Sequence, residues 1–403
     1  MTLAQGRHLM TIPGPSIMPD RVLNAMHRAA PNIYEGELLE TTDKITQDLK
    51  KVARTSGEVA IYIANGHGAW EAALSNILAP GDKALVLTTG RFAQGWGDMA
   101  TALGIDVELM NFGTASPADP ARLEDRLRAD KSHEIKAVLV VQTDTASSVR
   151  NDIKALGEAI KAANHPALFC VDCIASLACE RFKMDEWSVD VMVAACQKGL
   201  MTPPGLGFNF MNDKALAVRA TLTRVSPYFN WLPRINPQIF YQRFCGTAPT
   251  HHLLGLSEAL NMIVDEEGLE NVWDRHQIFA SIIWDTCAVW QELGDLRLNI
   301  TNVDHRSTAV TTIHTAPGDA NRLRQWCEVE AGLTLGVGLG LGDATPTTGD
   351  SIFRIGHMGH LSPPMLLGAL ATIDAGLKAL NIPHGGGALR VASEATAKAI
   401  STL

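Results

Sequence analysis

Between Val59 and Met211, apolar runs of strand length alternate with stretches that place their apolar residues at helical spacing. The runs are Val59–Ile63, Ala84–Leu87, Val107–Met110, Ala137–Val141, Ala167–Val171, Val189–Ala194 and Phe208–Met211. Ala69–Leu78, Gly95–Leu103, Pro120–Ala129 and Ile153–Ala163 lie between them. Strands that read as continuous apolar runs are buried on both faces, as happens when helices cover a parallel sheet. The pattern predicts an α/β fold with a large, mainly parallel seven-stranded sheet. Ligands of such sheets gather beyond the carboxyl ends of the strands, so chemistry is expected just after these runs.

The flanks are organised differently. A stiff Pro13-Gly14-Pro15 turn closes an N-terminal arm of residues 1–15, and helical stretches follow at Arg21–Ala30 and Leu38–Arg54. Beyond the alternating region come a loop-rich aromatic stretch, about Thr223 to Ala248, and a long helical region from His252 to Leu293 that breaks near Glu267-Gly268. Past it a smaller α+β unit is expected, with strands at Leu296–Ile300, Ala309–His314 and Ile352–Ile355 and helices at Ala320–Ala331 and Met365–Leu380. A last helix, Ala388–Leu403, follows Gly385-Gly386-Gly387. The reading therefore divides the 403 residues into the arm, a large domain of residues 16–285 and a small C-terminal domain of residues 286–403.

A net charge of −9 argues against a nucleic-acid or anionic-membrane partner, because the summed field repels both. No run approaches the roughly 20 apolar residues that span a bilayer, and Met1–Ile12 has no apolar core of a signal peptide, so a cytoplasmic location is expected. The seven cysteines include Cys170 and Cys173 in a CxxC, but no second pair or nearby His completes a zinc site; small core side chains are the reading taken. No metal is expected.

Four features carry chemistry. Asn65-Gly66-His67-Gly68 follows a strand and opens a helix, a turn whose N–H groups and dipole suit a phosphate, although many such turns hold glycine for conformational reasons alone. Asp172 ends the most apolar strand, where a carboxylate needs a cation or donor; a pyridinium N–H would serve, and so would a simple turn or cap. Lys198 follows the strand ending at Ala194, and apolar surroundings there would favour its neutral, nucleophilic amine; an ordinary surface lysine is the alternative. Arg354, in Phe353-Arg354-Ile355-Gly356-His357, could fork onto a substrate carboxylate or pair with an acidic neighbour.

Taken together, and in this order, these features resemble the fold-type I pyridoxal-phosphate enzymes, more narrowly the class V serine/alanine–glyoxylate aminotransferases. The resemblance runs through Arg7-His8-Leu9, Pro13-Gly14-Pro15, Gly66-His67-Gly68-Ala69-Trp70-Glu71-Ala72-Ala73-Leu74, Met184-Asp185-Glu186-Trp187-Ser188-Val189-Asp190, Gln197-Lys198, Gly268-Leu269-Glu270-Asn271 and Phe353–His357. It implies pyridoxal 5′-phosphate as cofactor, held by Lys198 as a Schiff base, with Lys198 also shuttling the proton at the substrate Cα. It further implies Asp172 on the ring nitrogen, Phe92 stacked on the ring, Thr145 near the phenolic oxygen, and Asn65, Gly66, His67 and Gln197 at the phosphate. Thr247 would complete that phosphate site in a neighbouring subunit, making the chain at least a homodimer, with dimer and tetramer both open. Arg354 would bind the substrate α-carboxylate.

The implied reaction moves an amino group from a small amino acid, serine or alanine, to the 2-oxo acid glyoxylate in two half-reactions. Alternatives are a pyridoxamine–pyruvate aminotransferase-like enzyme, a lyase or desulfurase for which Cys327 would be the thiol, and, more remotely, a non-catalytic scaffold of the same fold. The sequence departs from the family pattern at Glu35, where a basic residue is common, at Phe244, where a tyrosine is common, and at Ser148, where a glycine is usual. These departures bear on substrate choice. Gly336-Val337-Gly338-Leu339-Gly340-Leu341-Gly342 is read as a mobile loop delivering Arg354, and His251-His252 as a poor metal pair.

Overall fold

The computed structural model describes residues 2–341 and 350–402; Gly342 of the glycine-rich stretch and Leu403 of the terminal helix lie outside the described residues. In chain order, β1 (Leu9–Thr11), α1 (Asp20–Met26) and α2 (Glu37–Ala53) precede the alternating region. That region contains β2 (Glu58–Ile63), α3 (Gly66–Ile77), β3 (Lys83–Thr88), α4 (Arg91–Ala102), β4 (Asp106–Asn111), α5 (Pro120–Ala129), β5 (Ile135–Val141), α6 (Ile153–Ala162), β6 (Leu168–Asp172), β7 (Val191–Ala195) and β8 (Leu206–Met211). Then come α7 (Asp213–Thr221), α8 (Trp231–Ile235), α9 (Thr250–Leu260) and α10 (Leu269–Trp290), the last two joined by a wider π-helical turn, Asn261–Glu267. The chain closes with β9 (Arg297–Leu298), β10 (Val310–His314), α11 (Asp319–Ala331), β11 (Leu333–Val337), β12 (Ile352–Gly356), α12 (Pro363–Ala379) and α13 (Ala388–Thr402).

The large sheet has the order β2-β8-β7-β6-β5-β3-β4, and only β8 runs against the others. Every residue of β6, β7 and β8 is buried, as expected of central strands covered on both faces. Two of the covering helices start where the sequence supplies an acidic cap. Asp119 and Asp152 accept N–H groups at the heads of α5 and α6, each a contribution of about 1 kcal/mol. On α6, Ile153, Leu156 and Ile160 form the buried stripe that faces the sheet.

A second, five-stranded sheet has the order β1-β11-β12-β10-β9. Its β1 comes from the N-terminal arm and pairs in parallel with β11, Leu9 opposite Leu333, so the arm is a strand of the small sheet. The first two residues of the glycine-rich stretch, Gly336 and Val337, belong to β11, and Gly336 pairs with Arg354 on β12. Among the described residues no helix is long and apolar enough to cross a membrane.

Candidate active site

Five strand ends of the large sheet open on one side. From β2 the chain turns into α3 through Asn65, whose side chain accepts the N–H groups of His67 and Gly68. From β3 it turns into α4 through Thr89-Gly90, bringing up Phe92; from β5 it enters the loop holding Thr143 and Thr145. β6 ends on Asp172 itself, and β7 leads into Gln197-Lys198. Asn65, Gly66, His67, Phe92, Thr145, Asp172, Gln197 and Lys198 all line one cleft of about 170 Å³, so eight of the residues expected at the cofactor come together.

Asp172 is buried and accepts two hydrogen bonds, from Trp70 Nε1 at 2.8 Å and from the Ile174 N–H at 2.6 Å. Burial pushes its pKa up to about 7 against those two donors, and the neighbouring carboxyl of Asp144 adds to the rise. A protonated aromatic nitrogen is a partner that would return the carboxyl to its charged form. Trp70 stacks on Trp96 with 6.1 Å between centroids and touches the ring of His67 at 4.6 Å.

The amine of Lys198 is likewise withdrawn from water, and its pKa falls to about 8. Burial is the main cause and the charge of Arg354 the next, opposed by Asp172 and Cys179. Its Nζ donates to the carbonyl of Pro13. The Pro13-Gly14-Pro15 turn lies directly against the lysine: a Cβ on Gly14, which has φ +89°, would overlap the Lys198 side chain. Ser16 ties the turn down, its N–H to the Gln197 carbonyl at 2.9 Å and its hydroxyl to the Lys198 carbonyl at 2.7 Å.

Arg354 is 5 % exposed and lies outside the cleft lining. Its Nε donates to Val337 O at 2.5 Å and its Nη1 to Thr145 O at 2.6 Å. Among the described residues no carboxylate forms an ion pair with it. Burial brings its pKa down to about 10, so it is charged at neutral pH. A buried cation satisfied only by carbonyls is costly on its own and strongly favours an anionic ligand. Among the described residues the buried Oε1 of Gln197 has no hydrogen-bond partner; with the amide turned over, Nε2 would offer a donor there to an anion. An acid beside a base, a donor that a turned Gln197 amide offers to a phosphate, and an arginine with no ion pair among the described residues together fit a pyridoxal-phosphate group and an acid substrate.

Thr247 is exposed on the surface, away from the cleft of its own chain. Phe244 is buried against Phe240, 5.7 Å between ring centroids, and Glu35 is exposed. Ser148 has φ +60°, the left-handed region that favours the family's glycine, and its hydroxyl accepts the Thr312 N–H at 3.3 Å. None of these three departures lines the cleft. Cys327 is fully buried within α11, and His251 and His252 bind separate carbonyls, of Arg28 and Pro204.

Three participants went unassigned in the sequence reading: Trp70, Pro13 and Asp144. Trp70 had a signal, since it lies one turn into the helix that the glycine turn opens and so faces the strand ends. The Pro13 carbonyl had none, because its meeting with Lys198 spans the chain. Asp144 accepts the N–H groups of Phe92 at 2.7 Å, Ala146 at 2.9 Å and Ser147 at 3.2 Å, and burial raises its pKa against those donors.

The aminotransferase class-V family model matches residues 13–341, and the chain belongs to that family. The serine–glyoxylate aminotransferase of Methylorubrum extorquens is 39% identical over 393 residues, covering 94% of both chains. The L-aspartate–glyoxylate aminotransferase of Paracoccus denitrificans is 33% identical, covering 92% of this chain and 91% of the relative. The crystal structure of pyridoxamine–pyruvate aminotransferase from Mesorhizobium loti superposes with a TM-score of 0.88 at 23% identity, over 99% of this chain and all of that one, a likeness of fold.

Proposed function

We propose that this aminotransferase uses pyridoxal 5′-phosphate to move an amino group from serine or alanine to glyoxylate. The observation that carries the reading is a buried acid, Asp172, and a half-buried lysine, Lys198, at the ends of neighbouring strands β6 and β7, facing one cleft. The similarity to the Methylorubrum relative supports glyoxylate as acceptor and serine as donor.

In this reading Lys198 holds the cofactor's aldehyde and Asp172 its ring nitrogen. Phe92 packs on the ring, and Thr145 faces the phenolic oxygen. Asn65, Gly66, His67 and Gln197 surround the phosphate, with Thr247 of a second copy completing that end in a homodimer. When bound, the cofactor supplies an electron sink that stabilises negative charge developing at the substrate Cα. Arg354 binds the carboxylate of each acid in turn, using hydrogens not committed to Val337 and Thr145. That orients the Cα–H bond toward Lys198, whose lowered pKa keeps a large share of the free amine neutral near pH 8 and able to take the proton. The Pro13-Gly14-Pro15 turn covers the lysine and limits water there. The net charge of −9 fits work in the cytoplasm.

The test is a visible spectrum of the protein supplied with pyridoxal phosphate, titrated with serine, alanine, aspartate and pyridoxamine. A band that bleaches with serine or alanine and returns with glyoxylate is the expected result. A response to pyridoxamine alone, or only to aspartate, overturns the assignment of substrates.

A further inference from the structure

Helix α4 begins without a side-chain cap of its own, because its N-cap residue is Gly90. The N–H groups of its first turn still require acceptors. One comes from a loop far along the chain: Asp144 Oδ2 accepts the Phe92 N–H at 2.7 Å. The absent side chain of Gly90 leaves room for this approach, since a Cβ there would overlap the carboxyl group. The other oxygen, Oδ1, accepts the N–H groups of Ala146 and Ser147, closing the turn that carries Thr145. The carbonyl of Thr145 in turn holds Nη1 of Arg354. Arg354 also feels the charge of Asp144, which favours its cationic form. One buried carboxyl group thus touches the support of the ring-facing Phe92 on one side and of the acid-binding Arg354 on the other.

We propose that Asp144 is a positioning residue that locks Phe92 and Arg354 into a single geometry, so that cofactor binding and acid binding depend on one side chain. This rests on the pyridoxal-phosphate reading above. Asp144→Asn is the test, because it keeps the volume, removes the charge and lets only one end of the side chain accept. Cofactor affinity is measured by titrating cofactor-free protein with pyridoxal phosphate, the orientation of the bound ring by its visible circular dichroism, and acid binding by KM for glyoxylate. The expected result is cofactor affinity about tenfold or more weaker and a KM for glyoxylate about tenfold or more higher, with a weakened dichroic band. The effect on KM combined with Arg354→Lys, and that on affinity combined with Phe92→Leu, should be clearly less than additive.

If Asp144→Asn does not fold, Gly90→Ala presses a methyl group against the same carboxyl and should shift both quantities in the same direction by a smaller factor. Affinity, dichroism and KM all within twofold of wild type, or strict additivity with Phe92→Leu and Arg354→Lys, would overturn the role of Asp144. Wild-type protein run alongside separates the two claims. If it takes up no pyridoxal phosphate, the functional reading itself fails; if it does and the variant matches it, only the role of Asp144 fails.

Discussion

The two sheets each bury a charged group beside the cleft, and they treat it in opposite ways. On the large sheet, Asp172 receives donors from Trp70 and Ile174, yet burial still brings its pKa to about 7. Its charge is therefore open to adjustment by whatever faces it. On the small sheet, Arg354 donates only to carbonyls among the described residues and keeps its charge at neutral pH with a pKa of about 10. The first is a group that a bound ring can switch; the second is a fixed cation that waits for an anion. Lys198 feels both, its pKa lowered by Arg354 and raised by Asp172. In the proposed reading, this division lets the site hold a cofactor continuously and exchange acids repeatedly.

Substitutions that remove one element at a time should separate these behaviours. Lys198→Ala should lower kcat by several orders of magnitude, since in the proposed mechanism it removes both the covalent anchor and the proton carrier. Asp172→Asn cannot adopt the negative form and should cost about 10²–10³-fold in kcat, the scale of losing one fixed electrostatic partner of the reacting system. Arg354→Lys keeps a charge but loses the fork, so kcat/KM should fall about 10- to 100-fold, mostly through KM for both acids. Equal falls in kcat and equal rises in KM for Asp172→Asn and Arg354→Lys would erase the distinction between the two sheets. Trp70→Phe deletes one donor to Asp172 and should weaken cofactor affinity about tenfold, with little change in KM for glyoxylate.

The smallest effect concerns pH. The amine of Lys198 must be neutral to capture the cofactor's aldehyde, and its pKa lies near 8 rather than at the ordinary lysine value. The rate of cofactor uptake by cofactor-free protein should rise with pH up to about 8 and level off above it. Because the charge of Arg354 lowers that pKa, Arg354→Ala should move the midpoint upward. A stopped-flow pH series measures both, and an uptake rate still climbing steadily past pH 9 in wild type contradicts the burial of the amine.

Much of this arrangement was legible in the residues. The apolar runs located all seven strands of the large sheet, because its central strands are buried on both faces and carry a strong local signal, although the edge strand β4 is largely open to solvent. The strand ends then pointed to Asp172 and Lys198. The small sheet was harder to read. β11, Leu333-Thr334-Leu335-Gly336-Val337, contains a glycine and runs into a glycine-rich stretch, and β1 has only three residues. Both are strands because of their partners rather than their own composition. The same holds for the site contacts that sequence reasoning missed. Pro13 reaches Lys198, and Asp144 reaches Phe92, through long-range packing that no local spacing records. Ser148 carries a left-handed backbone at a position where the family uses glycine, and only the structure shows its hydroxyl accepting from Thr312.

The central claim is that Lys198 is the residue on which the cofactor is carried. Protein loaded with pyridoxal phosphate, reduced with borohydride and digested, should yield one peptide bearing a phosphopyridoxyl group, with the mark on Lys198 and lost if serine is added before reduction. A mark on another lysine, or none on a protein that still transaminates, would contradict the account.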